Sequence, residues 1–289
     1  MKLPRLRLYW KSVLLFLAVA GPGIITSNVD NDAGGITTYS LAGAEYGLSL
    51  LWTLIPITVV LIIIQEMGAR MGVITGKGLS DLIRERFGAK VTFYLMIALL
   101  LTNLGNTVSN FAGVAASLEI FGISKYASVP LGAAFVWWLV VKGSYKSVEK
   151  AFLFACLFYV AYIVSGFLGK PDWGQVGAAL VKPTIRFDPG FLTMAMGLIG
   201  TTIAPWMQFY LQSSVVDKGL KAEDYPYTRI DVICGSVTVN VVAFFIIMLC
   251  AVTLFQNGVR IESAKDAAQA LAPLAGGYAA WLFAFGLLN

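Results

Sequence analysis

The chain has 289 residues, of which 58% are hydrophobic and 13% charged, and its mean hydropathy is +0.76. A soluble globular domain is about half apolar and about a quarter charged, so this composition excludes an ordinary soluble fold. The net charge of +5 would suit a nucleic-acid partner, but the positions of the basic residues explain it without one. The cysteines, Cys156, Cys234 and Cys250, stand apart in apolar stretches and fit neither a zinc spacing nor a disulfide framework.

Apolar segments of roughly membrane-spanning length follow one another along the chain. Because backbone groups cannot stay unpaired in lipid, each is predicted to be a helix, which makes residues 1–289 one all-α transmembrane domain. The predicted spans are 12–41, 48–65, 91–118, 127–141, 151–168, 190–216, 232–256 and 275–289. The last segment stops at Asn289 without a charged flank, which predicts a chain truncated after the start of its eighth span.

The N-terminal residues also resemble a signal peptide, with a basic start and Ala18-Val19-Ala20 as a cleavage site. The apolar stretch, however, runs directly into Gly21-Pro22-Gly23 and a second hydrophobic half. Cleavage would remove half of a span, so we predict that this segment is retained as part of the first helix.

The first span is interrupted in its middle by the polar stretch Ser27–Gly35, which contains Asp30 and Asp32. A carboxylate at mid-membrane depth costs about 3 kcal/mol even on lenient insertion scales. Unwound backbone survives at that depth only if it lines a cavity or is buried in protein. The alternative is a plain loop, but Val13–Thr26 and Ile36–Ala44 are each too short to span alone. We therefore predict a broken helix with a functional break.

The sixth span is interrupted at Gly200–Met207, where Pro205 removes a hydrogen-bond donor from the helix. Taken alone, this segment could be an ordinary proline kink. Breaks in the first and sixth spans together are typical of inverted-repeat transporters, which bind their substrate where two broken helices meet at the midplane.

The Lys and Arg residues predict the orientation. With the N-terminus in the cytoplasm, the inner segments carry 15 of the 21 basic residues, as the positive-inside rule requires. Cysteines introduced by Lys125→Cys and Lys146→Cys should therefore react with membrane-impermeant reagents from opposite sides. Labelling of both from the same side would contradict this topology.

A family resemblance is carried by Gly21-Pro22-Gly23, Asp32, Ala42-Gly43-Ala44, Tyr46-Gly47 and Leu50-Leu51-Trp52. This stretch resembles the first span of the Nramp family of divalent-metal transporters. Weaker matches follow in order along the rest of the chain: Thr75-Gly76-Lys77, Lys170-Pro171-Asp172-Trp173, Thr202-Ile203 with Pro205, and Tyr210-Leu211. The resemblance implies an inverted-repeat, leucine-transporter-like fold and a metal ion as substrate.

The chain departs from the family motifs at the positions that would bind the metal. The first-span motif D-P-G-N is Asp32-Ala33-Gly34-Gly35 here, and the sixth-span motif A-x-x-M-P-H is Thr201–Trp206, with Ala204 in place of the methionine. The acidic pair of the third span is replaced by Asn103 and Asn106. This pattern is similar to the Nramp-related magnesium transporters, since a thioether favours transition metals over hard cations.

The predicted metal site follows from this resemblance. Asp32 is the expected main anionic ligand, with Thr201 and the carbonyls around Gly35 and Ala204 lining a widened cavity. Asp30 is expected second, at the cavity rim, because in a regular helix it would face away from Asp32 and could reach the same ion only if the backbone there is unwound. Mg²⁺, usually bound through one or two carboxylates with its waters retained, fits such a site, and Mn²⁺ is also expected.

The sequence thus predicts a cell-membrane transporter, not an enzyme, that is uncoupled from protons. Its expected partners are divalent ions and the lipid bilayer, without a cofactor, nucleic acid or obligate protein partner. The alternatives are a proton-coupled Mn²⁺/Fe²⁺ Nramp transporter and a sodium-coupled amino-acid transporter. An intramembrane protease is disfavoured because Asp30 and Asp32 share one span and the chain has no histidine.

Overall fold

The first predicted span contains a break. The computed structural model describes residues 21–143, 154, 156–275 and 277–288, and over these the chain forms helices and no strands. Helix α1 is Pro22–Val29 and α2 is Ala33–Tyr46, so residues 30–32 lie outside both. Residues 12–20 of the predicted span lie outside the described residues.

The second and third spans are longer helices than the hydropathy pattern predicts. Gly47–Thr53 form a 3-10 turn. Helix α3, Leu54–Thr75, continues beyond the apolar stretch, where Glu66, Met67, Ala69 and Arg70 are good helix formers. Helix α4, Leu79–Ile120, is interrupted at Gly88, whose φ of 83° is rarely adopted by other residues. Helix α5 is Lys125–Lys142.

The middle of the chain contains the second break. Of the predicted span 151–168, the structure describes a 3-10 turn at Cys156–Tyr159 and α6, Val160–Leu168. A short helix that hydropathy did not predict follows, α7, Trp173–Val181, with Asp172 as its N-cap. Helices α8, Pro189–Thr202, and α9, Pro205–Asp217, are separated by Ile203 and Ala204.

The last helices follow a 3-10 turn at Ala222–Asp224. Helix α10 is Tyr225–Cys250, continued by a π-turn at Ala251–Phe255. Helices α11, Ala264–Ala275, and α12, Gly277–Leu288, complete the described chain. Hydropathy did not predict α11, because it is short and carries polar residues.

The chain divides into two compact units. The first contains the described part of Met1–Val29 together with Val59–Thr102 and Ala204–Thr238; the second contains Asp30–Thr58, Asn103–Ile203 and the described part of Val239–Asn289. Two of these divisions, after Val29 and after Ile203, coincide with the helix breaks.

Each unit has its own apolar core. The core of the second unit includes Tyr39, Leu50, Leu198, Ile246 and Phe283, all fully or almost fully buried. The first unit has a smaller core: Ala69, Val73, Leu211, Val215 and Val232. Helix α3 approaches α9 closely there, because Gly72 has no side chain beyond its hydrogen and lies against Val215.

The surface is that of a membrane protein. In the described chain, four helical stretches are long and apolar enough to cross a bilayer: Ala33–Thr75, Leu79–Ile120, Pro189–Asp217 and Ala222–Phe255. Helix α4 exposes Leu100, Leu101, Leu104 and Val108, each more than 60% accessible. A continuous apolar face of this kind is stable against lipid, whereas in water it would drive aggregation.

Candidate metal centre

Asp32 begins helix α2. Its backbone is extended (φ −73°, ψ −178°), and its Oδ1 accepts a hydrogen bond of 2.8 Å from the Gly35 amide. Aspartate is a favoured N-cap because its carboxylate satisfies an amide that has no partner within the helix. The side chain is partly buried and also accepts a hydrogen bond from the Asn106 amide. Asp32 therefore has a structural role in addition to its predicted role as a ligand.

Asp30 is more deeply buried than Asp32. It is 3% exposed, and its Oδ2 atom has no hydrogen-bond partner among the residues that the structure describes. Its charge lies close enough to Asp32 for the two to repel each other. Residues 30–32 are not helical, which is the condition under which Asp30 could reach the same ion as Asp32. A buried carboxylate oxygen without a partner is costly, and a cation would offset that cost.

Gly35 lies close to the backbone of Asp30 and to the side chain of Thr201. A Cβ atom there would lie 2.7 Å from the Asp30 carbonyl oxygen and 3.5 Å from the Thr201 hydroxyl. The second unit thus brings Asp30, Gly35 and Thr201 together, although Thr201 is 166 positions beyond Gly35. The glycine therefore admits the Asp30 backbone at close range, which the sequence did not predict.

Helix α4 contributes residues that the sequence did not single out. The amide of Ala33 donates to the Asn110 side chain over 3.4 Å, and the Ser109 hydroxyl lies 3.7 Å from a Cβ built on Gly34. With Asn106, these residues occupy one helical face, since positions three and four apart are neighbours. The spacing of Asn103, Asn106 and Asn110 was a signal that could have identified Asn110.

Two tyrosine hydroxyls hold the backbone around the break. Tyr39, fully buried, lies 3.0 Å from the Thr202 hydroxyl at the end of α8. Tyr159 donates to the Asn31 carbonyl over 3.3 Å. Neither contact was predicted, because each joins residues more than a hundred positions apart.

The end of α8 adds an electrostatic preference. Thr201 and Thr202 form its last turn, where carbonyl groups lack partners within the helix and the helix dipole favours a positive charge. Ala204, the remaining predicted site residue, belongs to the first unit and caps α9 with its backbone in an extended conformation. Its carbonyl accepts a 3.2 Å hydrogen bond from the Met207 amide.

This chemistry suits a hard cation. Around the first break the second unit offers carboxylate, hydroxyl, amide and carbonyl oxygens. Over the described residues, no group of three or more Cys, Asp or Glu side chains comes together as a preformed metal cage. At this break the described residues offer two carboxylates, Asp30 and Asp32, and a hard divalent cation prefers oxygen ligands of this kind.

Comparison with known proteins decides the family. The model of the Nramp family, described as Natural resistance-associated macrophage protein-like, matches residues 23–289. The chain belongs to the Nramp family. The predicted family resemblance is thereby confirmed.

Two curated relatives of this Nramp chain are bacterial. The Divalent metal cation transporter MntH of Deinococcus radiodurans is 29% identical over 292 residues, covering 96% of this chain and 66% of its own length. The protein of the same name from Yersinia pestis is 28% identical over 280 residues, covering 94% and 68%. The chain thus spans about two thirds of the length of these relatives.

Solved structures show the fold. The crystal structure of the Eremococcus coleocola manganese transporter in complex with an aromatic bis-isothiourea substituted compound matches with a TM-score of 0.84 at 22% identity. The match covers 97% of this chain and 62% of that one, which is less than two thirds of its length. The predicted all-helical Nramp transporter fold, with its broken first and sixth helices, is confirmed.

Proposed function

We propose that the protein is a transporter that carries divalent cations across the cell membrane, with Mg²⁺ as its main substrate and Mn²⁺ also accepted. The ion stays partly hydrated and is moved by alternating access. The observation that carries this proposal is the oxygen-lined break at Asp30 and Asp32, with the hydroxyl of Thr201 and the amide of Asn106 beside it. Such ligands suit a hard cation.

The departures from the family motif support Mg²⁺ over softer metals. Ala204 stands where the family motif has a methionine, and Gly35 stands where it has an asparagine. Without a thioether, the site loses the ligand that would favour transition metals. The relatives named as manganese or divalent metal transporters support a divalent ion as cargo. Because one of these names specifies manganese, the proton-coupled Mn²⁺/Fe²⁺ transporter of the Nramp family is the second candidate.

Transport is proposed to be independent of protons. The chain has no histidine, Asn103 and Asn106 occupy the acidic positions of the third span, and Trp206 occupies the histidine position of the sixth. Neither asparagine nor tryptophan titrates, and Asp32 must be ionised to bind the metal. The membrane potential then drives entry, contributing about 4.6 kcal/mol per 100 mV for a doubly charged ion.

Liposomes containing the protein, a Mg²⁺ indicator and a pH dye test this function. We expect Mg²⁺ to enter faster at an inside-negative potential, without acidification of the lumen. Mn²⁺ should compete with Mg²⁺, and Ca²⁺, a larger ion with a looser shell, should compete poorly. Asp32→Asn is the matched inactive control, measured in the same liposomes.

Three results would contradict the proposal. Acidification in proportion to Mg²⁺ entry would favour the proton-coupled alternative. Transport of Cd²⁺ far above that of Mg²⁺ would refute the hard-cation argument. Sodium-dependent uptake of an amino acid without metal uptake would identify a transporter of the same fold but a different substrate class.

A further inference from the structure

Within the first unit, Asp231 contacts the start of α1, and the proposed function gives this contact no role. Its carboxylate accepts hydrogen bonds from three backbone amides at the start of α1: Gly21 at 3.1 Å and Ile24 at 3.3 Å to Oδ1, and Gly23 at 2.6 Å to Oδ2. The residue is fully buried and lies near the start of α10, more than 200 positions along the chain. Neither hydropathy nor the family motifs singled it out.

The Gly21-Pro22-Gly23 turn is shaped to receive this carboxylate. A Cβ at position 23 would lie 2.6 Å from the Val232 amide nitrogen and 2.8 Å from the Asp231 carbonyl carbon, so only glycine allows the two backbones to meet. Gly21 has a φ of 146°, which other residues rarely adopt. Pro22 fits the first helical position, where an amide hydrogen would have no helical partner.

The energetics make this contact a strong anchor for the start of α1. A helix of eight residues is unstable by itself. Hydrogen bonds to a charged group are stronger than neutral ones, and the positive end of the helix dipole adds to them. Both Asp231 oxygens already accept backbone hydrogen bonds, which leaves this carboxylate poorly suited to bind a cation itself.

We propose that Asp231 is a latch that holds α1 against the start of α10, and that it thereby positions the residues that follow α1. Helix α1 ends at Val29, and the next residue in the chain is Asp30 of the candidate metal centre. The described hydrogen bonds of Asp231 go to α1 and not to the candidate ligands, so it is a positioning residue. Its role in transport rests on the proposed function, whereas its role as a latch does not.

Accessibility of α1 tests the latch directly. Thr26 is fully buried in α1, so Thr26→Cys, in a variant whose three native cysteines are alanine, should react slowly with a maleimide. We expect Asp231→Asn to raise this labelling rate about tenfold or more, because weakening charge-assisted hydrogen bonds shifts the local opening equilibrium by that order. Asparagine keeps the size of the side chain and removes its charge.

Tyr225→Phe is the matched control. Tyr225 lies at the start of the same helix, but its hydroxyl donates to Glu66 of α3 and leaves α1 untouched. We expect this variant to keep the parent labelling rate. An unchanged labelling rate in Asp231→Asn, or an equal rise of the labelling rate in both variants, would contradict the proposal that Asp231 is a latch.

Amide hydrogen exchange of the unmodified protein gives a second measurement that does not require a folded variant. The first amides of a helix usually exchange fast, because they lack partners within the helix. The amides of Gly23 and Ile24 should instead exchange as slowly as those inside α10. Fast exchange at both positions would refute the proposal.

Transport measurements distinguish a positioning role of Asp231 from a general loss of protein structure. In Asp231→Asn we expect the maximal Mg²⁺ transport rate to fall about tenfold, in line with the rise in labelling, while the stabilisation of the protein by saturating Mg²⁺ is retained. A fall in the Mg²⁺ transport rate without increased labelling of α1 would contradict the positioning role of Asp231. If the parent protein carries no Mg²⁺ but the labelling difference holds, the proposed function fails and the latch stands.

Discussion

Asp32→Asn should remove most metal transport and leave the protein folded. Asparagine is as good an N-cap as aspartate, so the hydrogen bond to the Gly35 amide can be kept while the charge is lost. Losing one partner of a buried charge pair costs about 3 kcal/mol or more, which is about two orders of magnitude in affinity. We therefore expect Mg²⁺ uptake in liposomes to fall about 100-fold, with a melting temperature close to that of the parent.

Asp32→Ala is the companion variant, because it removes both the charge and the cap. It should lose transport equally and be destabilised by a further ~1 kcal/mol. Asp30→Asn should behave differently without metal. Relief of the repulsion between the buried Asp30 and the partly buried Asp32 should raise the melting temperature in chelator, and the added stabilisation by Mg²⁺ should shrink. Unchanged uptake in Asp32→Asn would refute the assignment of Asp32 as the main ligand.

Gly35→Ala should produce the second large loss of transport. The added Cβ would lie 2.7 Å from the Asp30 carbonyl oxygen, a distance that side-chain carbons do not tolerate. The break must shift to relieve the contact, and overpacking of this kind costs about 1 to 3 kcal/mol. Because the displaced backbone carries Asp30, we expect Mg²⁺ uptake to fall by at least about tenfold, measured at equal protein content.

Gly200→Ala is the matched control for this substitution. Gly200 lies in α8, one residue before Thr201, and a Cβ there meets no atom of the described residues within 4 Å. Alanine also favours the helix over glycine. Gly200→Ala should take up Mg²⁺ at the parent rate and should be as stable as the parent or more stable. If Gly35→Ala transports as well as Gly200→Ala, close backbone approach at position 35 is not required.

The membrane fold and both breaks were predictable because their signals are local. A run of apolar residues must form a helix in lipid whatever its neighbours are. A proline or a pair of carboxylates interrupts that helix within one or two turns, as at Pro205 and Asp32. The boundaries were less predictable: α3 continues to Thr75 because a helix does not have to end where its apolar stretch ends.

The surroundings of the breaks depend on residues far apart in the chain. The sequence determined by itself that Asp30 and Asp32 interrupt a membrane helix and that the family's methionine and histidine are absent. Only the tertiary structure decided that Asn106 and Asn110 contact the start of α2, that Gly35 lies against Thr201, and that Asp231 receives the Gly21-Pro22-Gly23 turn. Hydropathy and helix breakers act over a few residues, whereas these pairings are set by how the helices pack.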